Sequence, residues 1–286
     1  MMTGSNNANS IPNNSLIGQC CAITFKGNAS NNLQQDAFFL LDNWYQENLG
    51  ITEVIDIKDY FCLAVSDGVA SSSYSQHCSK AIVKAIDRLR SDSQQVTASA
   101  IQKQLDKGNY PIKLQGAAAT LTCLEGLVND KKSIKATITH VGDSRIYRLS
   151  KDKPHWQCLT RDHNLLNEML EEKAKKEGLD IEEVEYNLEG MASSLYAITE
   201  FFVLTPDKTN PQSVTPNSTT TSINIDSGDV FVICTDGIHD LVPSQYWPSV
   251  DQSTNLQQWL IQLKSQVYKS EGRAYDNGTA IIVRFD

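Results

Sequence analysis

Residues 60–68 read Tyr-Phe-Cys-Leu-Ala-Val-Ser-Asp-Gly, and residues 230–237 read Val-Phe-Val-Ile-Cys-Thr-Asp-Gly. Each is a short apolar run, bounded like a buried strand, that ends on an aspartate followed by glycine. A third run, from Ile134 to Gly142, ends on Asp143. Two more aspartates stand on the other side of their strands: Asp36 just before Ala37–Leu41, and Asp276 just before Gly278–Phe285. In an antiparallel sheet, strand starts and strand ends meet at the same edge. The five carboxylates of Asp36, Asp67, Asp143, Asp236 and Asp276 are therefore expected together. Crowded acids repel one another unless protons or cations neutralise them. Hard divalent metals bound by oxygen ligands are the usual resolution.

Working outward, Cys20–Phe25 reads as a further strand, and Gly27–Asn32 as a loop by composition. Asn43 to Asp59 reads as a long connection. Tyr74, Cys78, Ile82, Ile86 and Leu89 recur at helical spacing, with a serine before them as N-cap. A weaker helix is expected over Gln94–Leu105, and a buried strand over Ala117–Leu124. Lys131-Lys132 marks a turn, and Arg145–Leu149 follows as a strand. Leu165–Lys176 reads as a charged helix, Gly178–Ser194 as a flap-like segment, and Pro206–Thr221 as a loop. Leu256, Trp259, Leu260, Leu263 and Val267 mark an amphipathic helix near the C-terminus. Strands interrupted by segregated helices imply an α+β fold. The simplest arrangement is a four-layer α-β-β-α sandwich, two antiparallel sheets flanked by helices. The acids run from the first fifth of the chain to its end, so one domain over residues 16–286 is expected after a polar tail at 1–15.

The formal net charge of -9 and the lack of any long Lys/Arg cluster argue against a nucleic-acid partner. The seven cysteines are scattered with no metal-type Cys-x-x-Cys spacing, which suits a reducing, cytoplasmic setting. No apolar run approaches the roughly 20 residues that span a bilayer, and the N-terminal residues do not read as a signal peptide.

Two divalent cations about 3.5–4 Å apart can hold and activate a water for in-line attack on phosphorus. Such a centre needs carboxylates around the metals, one of them often bridging. Asp67 suits the bridge, because Gly68 lets backbone approach closely and offers a carbonyl ligand. An Asp-x-Asp nucleophile after the first strand is not seen, and Cys62, Cys123 and Cys234 lie inside apolar strands.

Seven segments occur in an order that carries a resemblance: Leu33-Gln-Gln-Asp36-Ala, Val65-Ser-Asp67-Gly68-Val, Gly116-Ala-Ala-Ala-Thr120, Val141-Gly-Asp143-Ser-Arg145-Ile-Tyr147, Leu159-Thr-Arg-Asp-His163, Cys234-Thr-Asp236-Gly-Ile and Asp276-Asn277-Gly-Thr279. The chain resembles the metal-dependent type 2C (PPM) serine/threonine protein phosphatases, in their bacterial branch, from about residue 20 to the end. The resemblance implies a β-sandwich with a two-metal site at one edge, using Mn2+ or Mg2+, and leaves room for a third ion. By carry-over, Asp67 bridges both metals and Gly68 gives its carbonyl. Asp236 and Asp276 complete one metal. Asp36, with Gln35 beside it, acts on the other, partly through water, and Asp143 joins Asp236 around the third. Catalysis would rest on Asp36, Asp67, Asp236 and Asp276, with a metal-bridging hydroxide attacking phosphoserine or phosphothreonine in proteins. Asn277 and Thr279 would shape their turn, and Arg145 would pair within its own turn. The implied partners are a phosphoprotein substrate and a cognate serine/threonine kinase in a signalling role, with no membrane.

Three departures bear on that expectation. Relatives commonly carry a phosphate-clamping arginine five residues before the first metal-site aspartate, where this chain has Asn31. Many eukaryotic members have a histidine after Asp-Gly, where this chain has Val69, and the usual glycine pair is Ala70-Ser71. The loss of the arginine keeps open an alternative: a pseudophosphatase that binds a phosphoprotein with weak or no turnover. Either phosphate binding is weaker or another base such as Lys26 clamps it. If Asn31 has weakened phosphate clamping, Asn31→Arg is expected to lower the Michaelis constant for a phosphopeptide by about tenfold, the equivalent of roughly 1.4 kcal/mol. An unchanged constant would count against that hypothesis.

Overall fold

The computed structural model describes residues 16–28, 33–128, 133–184, 193–205, 214–269 and 276–286. The expected N-terminal tail, Asn31, the Lys131-Lys132 turn and parts of the flap-like segment and the 206–221 loop lie outside the described residues.

The strand at residues 60–66 shows how the layers arise. Phe61, Leu63 and Val65 enter one hydrophobic cluster, and Cys62 and Ala64 enter another. Period-two side chains therefore bury both faces of one strand. The strand is apolar throughout because neither face meets water.

The chain opens with β1 (Gly18–Phe25), β2 (Ala37–Leu40), β3 (Asn43–Tyr45), β4 (Gly50–Ile51), β5 (Ile55–Ile57) and β6 (Tyr60–Ser66). Helices α1 (Ser75–Ser91) and α2 (Ala98–Lys107) follow. Then come β7 (Ala118–Ala119), β8 (Leu121–Leu127), β9 (Ser133–Val141), β10 (Arg145–Leu149) and β11 (Gln157–Cys158), and helix α3 (Leu165–Glu177). The last third holds β12 (Phe202–Val203), β13 (Thr219–Asp226), β14 (Val230–Cys234), α4 (Asp236–His239), α5 (Leu256–Tyr268) and β15 (Gly278–Phe285).

One sheet runs β11-β10-β14-β15-β1-β4, with β5 also on β1; the other runs β13-β9-β8-β6-β2-β3. Their pairings are antiparallel. Ala22 of β1, Phe38 of β2, Leu63 of β6 and Ile281 of β15 share the cluster between the sheets. Ile82 and Ile86 of α1 cover the outer face of one sheet with Phe39 and Ala64. Trp259, Leu260 and Leu263 of α5 cover the other with Ile23 and Ile282. The α+β, four-layer expectation describes this arrangement.

Several local expectations change. The connection over 43–59 contains β3, β4 and β5, each too short to show alternation. The second helix begins at Ala98, with Thr97 as its N-cap accepting from the Ala100 N–H at 3.1 Å. No serine caps α1. Its N-cap is Tyr74 in the left-handed region, φ 60°, with no side-chain capping bond. The serines expected to cap it, at 71–73, lie before that residue, and Ser75, the first helical residue, is buried and engaged by the Gln35 amide, 2.5 Å away. Residues 219–221, expected as loop, begin β13, which pairs with β9 over eight residues. As the outermost strand of its sheet, β13 needs few apolar side chains: its threonines and serine are exposed and only Ile225 is fully buried. The cysteines are free, and all but Cys158 are buried. Among the described residues, no helix is long and apolar enough to cross a membrane.

Phe61 touches Phe285 across the sandwich, ring centroids 5.4 Å apart, and neither ring is exposed. Phe61→Ala should cost about 3–5 kcal/mol, read as a lower urea midpoint at unchanged slope. A loss under about 1 kcal/mol would mean that the two sheets do not depend on this contact.

Candidate active site

Strand register decides where the carboxylates go. Ala37 pairs with Ser66, so Asp36 and Asp67 leave β2 and β6 at the same end. Cys234 pairs with Arg145 and with Ala280, so the residues around Asp143, Asp236 and Asp276 meet at the matching end of the other sheet. Asp67, Asp143, Asp236 and Asp276 line one cleft of about 480 Å3, together with Gly68 and Thr120. Asp36 does not line that cleft. It is fully buried, yet near enough for its charge to act on Asp67. Asp276 is exposed at the rim.

Polar side chains fasten the two sheets behind this edge. The Thr235 hydroxyl donates to Asp36 Oδ2 at 2.9 Å. The Gln35 N–H donates to Asn277 Oδ1 at 2.8 Å. Within one sheet, Thr24 of β1 and Thr279 of β15 share a 2.8 Å hydroxyl contact. Asp67 is held through its backbone: its N–H donates to Thr120 Oγ1 at 3.1 Å, and its carbonyl accepts from the Thr120 N–H at 2.8 Å. Asn277, expected to shape its own turn, spends its side-chain oxygen on the Gln35 backbone across the sandwich. The Gln35 side-chain N–H donates to Ser75 Oγ.

The glycines after Asp67 and Asp236 answer to close contacts. A Cβ on Gly237 would stand 2.0 Å from the Asn277 carbonyl oxygen. A Cβ on Gly68 would stand 2.8 Å from Ser75 Oγ and 3.0 Å from the Gln35 carbonyl oxygen. Neither close neighbour at Gln35 or Asn277 is a movable side-chain end, so the chain has room only for hydrogen there.

The carboxylates are held in an unfavourable state. Burial, reinforced by the charge of Asp236, pushes Asp36 up to about 7 against hydrogen bonds from Thr279 and Thr235. Burial and the charges of Asp236 and Asp36 hold Asp67 well above the usual carboxylate range. Asp143 is raised by burial and by Asp236 and Asp162. Asp236 is raised by burial and by the charges of Asp276 and Asp240, and eased by a hydrogen bond with Asp67 and by His239. Two carboxylates can share a hydrogen bond only if one keeps a proton. One oxygen each of Asp36, Asp143 and Asp236 is buried without a hydrogen-bond partner. These acceptors are the donor set a hard divalent cation takes. Among the described residues, no three His, Cys, Asp or Glu side chains already close on a single ion. A cation here would thus take its remaining oxygens from water and backbone carbonyl.

The histidines are structural. His140 lies between Thr122 Oγ1 (2.8 Å) and the Arg161 carbonyl (3.0 Å), and burial lowers its pKa to about 4. His163 Nδ1 accepts from the Gly142 N–H at 3.1 Å. His239 Nε2 lies 3.2 Å from the Asp143 carbonyl, fixing the turn that carries that acid. Arg145 is also structural, but its partner is Asp162, by a two-pronged contact at 2.8 and 2.6 Å, and not its own turn. Sequence reasoning missed Thr235 and Thr120 as supports of Asp36 and Asp67. It also missed Tyr196, Ile198 and Phe201 in the cleft wall.

A family model described as Protein phosphatase 2C matches residues 29–257. The chain belongs to the protein phosphatase 2C family. It is therefore a protein serine/threonine phosphatase by family, and phosphatases of this family use Mn2+ or Mg2+. The match includes Asp36, Asp67, Asp143 and Asp236 and stops before Asp276, which only the β14–β15 register brings to the same edge. Solved structures share the type 2C fold. The catalytic domain of the phosphatase PstP in complex with two manganese ions is 18% identical, covering 95% of this chain and 99% of that one at a TM-score of 0.60. Stp1 from Staphylococcus aureus is 17% identical, covering 93% and 94%, at 0.63. PppA, a regulatory component of T6SS in Pseudomonas aeruginosa, is 17% identical, covering 94% and 98%, at 0.60. No curated protein matches the sequence.

The raised carboxyl groups set a pH dependence for the metal-free type 2C fold. Asp36 moves from 3.8 to about 7 on folding, so the folded chain retains a proton that the unfolded chain has lost. Stability should be full at acid pH and fall as pH rises through that interval. Asp36→Asn should melt roughly 5 °C above wild type at pH 7.5 in chelator, with the gap closing near pH 4. An Asn variant that melts lower at pH 7.5 would show that the buried charge is already compensated.

Proposed function

We propose that residues 16–286 form a phosphatase domain that hydrolyses phosphoserine and phosphothreonine in proteins with Mn2+ or Mg2+. The observation that carries this is the crowding of Asp36, Asp67, Asp143 and Asp236, raised by burial and mutual charge and with buried oxygens left unpartnered. When bound, the ions would lower the pKa of a water and offset charge on the phosphoryl oxygens. Asp67, central to the charge network, is the bridging candidate, and the Gly68 carbonyl is the backbone ligand beside it. Asp236 and Asp276 would hold one ion, and Asp143 with Asp236 a third. Asp36, buried behind the cleft, would act through water and keep Thr235 oriented.

No lysine or arginine is among the described residues that line the cleft. The chain's own side chains there offer hydroxyls and backbone N–H groups to a phosphate, not charge. The same feature is what a binding-only pseudophosphatase would show. A serine/threonine kinase that installs the phosphate is the partner a signalling phosphatase implies.

Hydrolysis of a phosphothreonine peptide should require Mn2+ and stop on addition of chelator. Asp67→Asn and Asp236→Asn should each lower Mn2+ affinity at least about tenfold by calorimetry and turnover about a thousandfold. Peptide binding with no chelator-sensitive turnover by the wild type would favour the binding-only reading. Near-normal rates in either variant would break the assignment of the acids.

A further inference from the structure

The cleft has two chemistries. Its charged lining consists of aspartates at strand ends, whereas Tyr196, Ile198 and Phe201 bring apolar surface from one short segment. That segment is anchored at both ends. Leu165 N–H donates to the Ala197 carbonyl at 3.3 Å, Thr199 N–H donates to the His163 carbonyl at 2.9 Å, and Ile198 bridges to Asn164. Beyond them β12 pairs with β7, Phe202 opposite Ala119. Phe202 is fully buried in the core beneath α1. It fills the structural role an aromatic would have here, and leaves its neighbour Phe201 to the cleft. Tyr196 is 58% exposed at the lip.

The distances suit a peptide. Gly68 bridges to Ala119, and Ala119 pairs with Phe202. With neighbouring strands about 4.8 Å apart, the Phe202 backbone lies roughly 10 Å across from Gly68. An extended peptide advances roughly 3.4 Å per residue. With its phosphorylated residue over Asp67 and Gly68, a side chain two or three positions away reaches the apolar wall.

Resting on the phosphatase reading, we propose that Tyr196, Ile198 and Phe201 form a side-chain subsite. It selects phosphoproteins bearing an apolar or aromatic residue two or three positions from the phosphorylated serine or threonine. An acidic residue at that position finds no cation among the described lining residues, and it would have to lose its water against apolar surface. A large apolar residue buries area there, and the anchored wall loses little entropy on binding it.

The test uses full-length protein with Mn2+ and phosphothreonine peptides of otherwise alanine sequence. Each carries Leu, Phe, Asp or Lys two or three positions to either side. Wild type should favour Leu or Phe over Asp by at least about tenfold in kcat/KM, carried by KM. Tyr196→Ser and Phe201→Ser, each checked for folding by its thermal melt, should reduce that ratio to within about twofold. No apolar preference in wild type, a preference for Lys, or an undiminished ratio in both variants would overturn the subsite. If wild type turns over neither the peptides nor p-nitrophenyl phosphate, the phosphatase reading falls instead. The ratio of peptide dissociation constants, by fluorescence anisotropy, then decides the subsite on its own.

Discussion

Like-charge crowding at one edge of a β-sandwich is the constraint from which the rest of this molecule follows. Antiparallel register leaves no choice about it: once Ala37 pairs with Ser66 and Cys234 with Ala280, the acids flanking those residues share a neighbourhood. A fold that crowds four mutually repelling carboxyl groups, Asp36 fully buried and Asp67, Asp143 and Asp236 half-buried, gives up stability unless protons or cations occupy them. The raised acids and the unpartnered oxygens of Asp36, Asp143 and Asp236 are two views of that condition. Strain of this kind survives only on a rigid support.

The support is a polar lattice laid just behind the acids and backed by the apolar sandwich. Thr235 reaches from one sheet to Asp36 on the other, and Asn277 reaches to the backbone of Gln35. Within one sheet, Thr24 of β1 and its partner Thr279 of β15 join hydroxyls beside these contacts. These hydroxyls and amides are buried and directional, so they fix the sheet edges more narrowly than hydrophobic contact can. The glycines belong to the same design. The Asn277 carbonyl that leaves no space for a Cβ at Gly237 follows directly after Asp276, so two acids far apart in sequence are brought together by one backbone contact.

Much of this was legible in the sequence. Doubly buried strands write continuous apolar runs, and the aspartates at their ends stand out by position alone. What was not legible has a common cause. Strands β3, β4, β5, β7 and β12 have two or three residues each, too few for periodicity to register. Strand β13 is polar because it lies at a sheet edge, so composition disguises it as loop. The N-cap of α1 was misplaced because the helix starts after Tyr74 in a left-handed conformation, one residue beyond the serine run at 71–73, which no local rule predicts. Thr235 and Thr120 read as ordinary strand residues, since the Asp36 carboxylate and the Asp67 backbone they hold lie distant in sequence. The burial of Asp36 behind the other acids is likewise a matter of depth, which strand-end position does not encode.

The absence of a cationic side chain from the described cleft lining changes how binding energy can be distributed. A phosphate clamp built on arginine grips ground state and product alike, because both carry the phosphoryl charge. Uniform grip of that kind lowers KM without lowering the barrier to hydrolysis. On the proposed reading, the phosphoryl group would meet hydroxyls, backbone N–H groups and cations held by the acids. On that reading, affinity for a protein substrate would come largely from residues beside the phosphate. The apolar segment from Tyr196 to Phe201 is the part of the cleft able to supply it without adding charge to an already overcharged edge. A weak phosphate grip and a selective flank are thus linked: where the common group binds weakly, small differences among neighbouring side chains decide which phosphoprotein is bound.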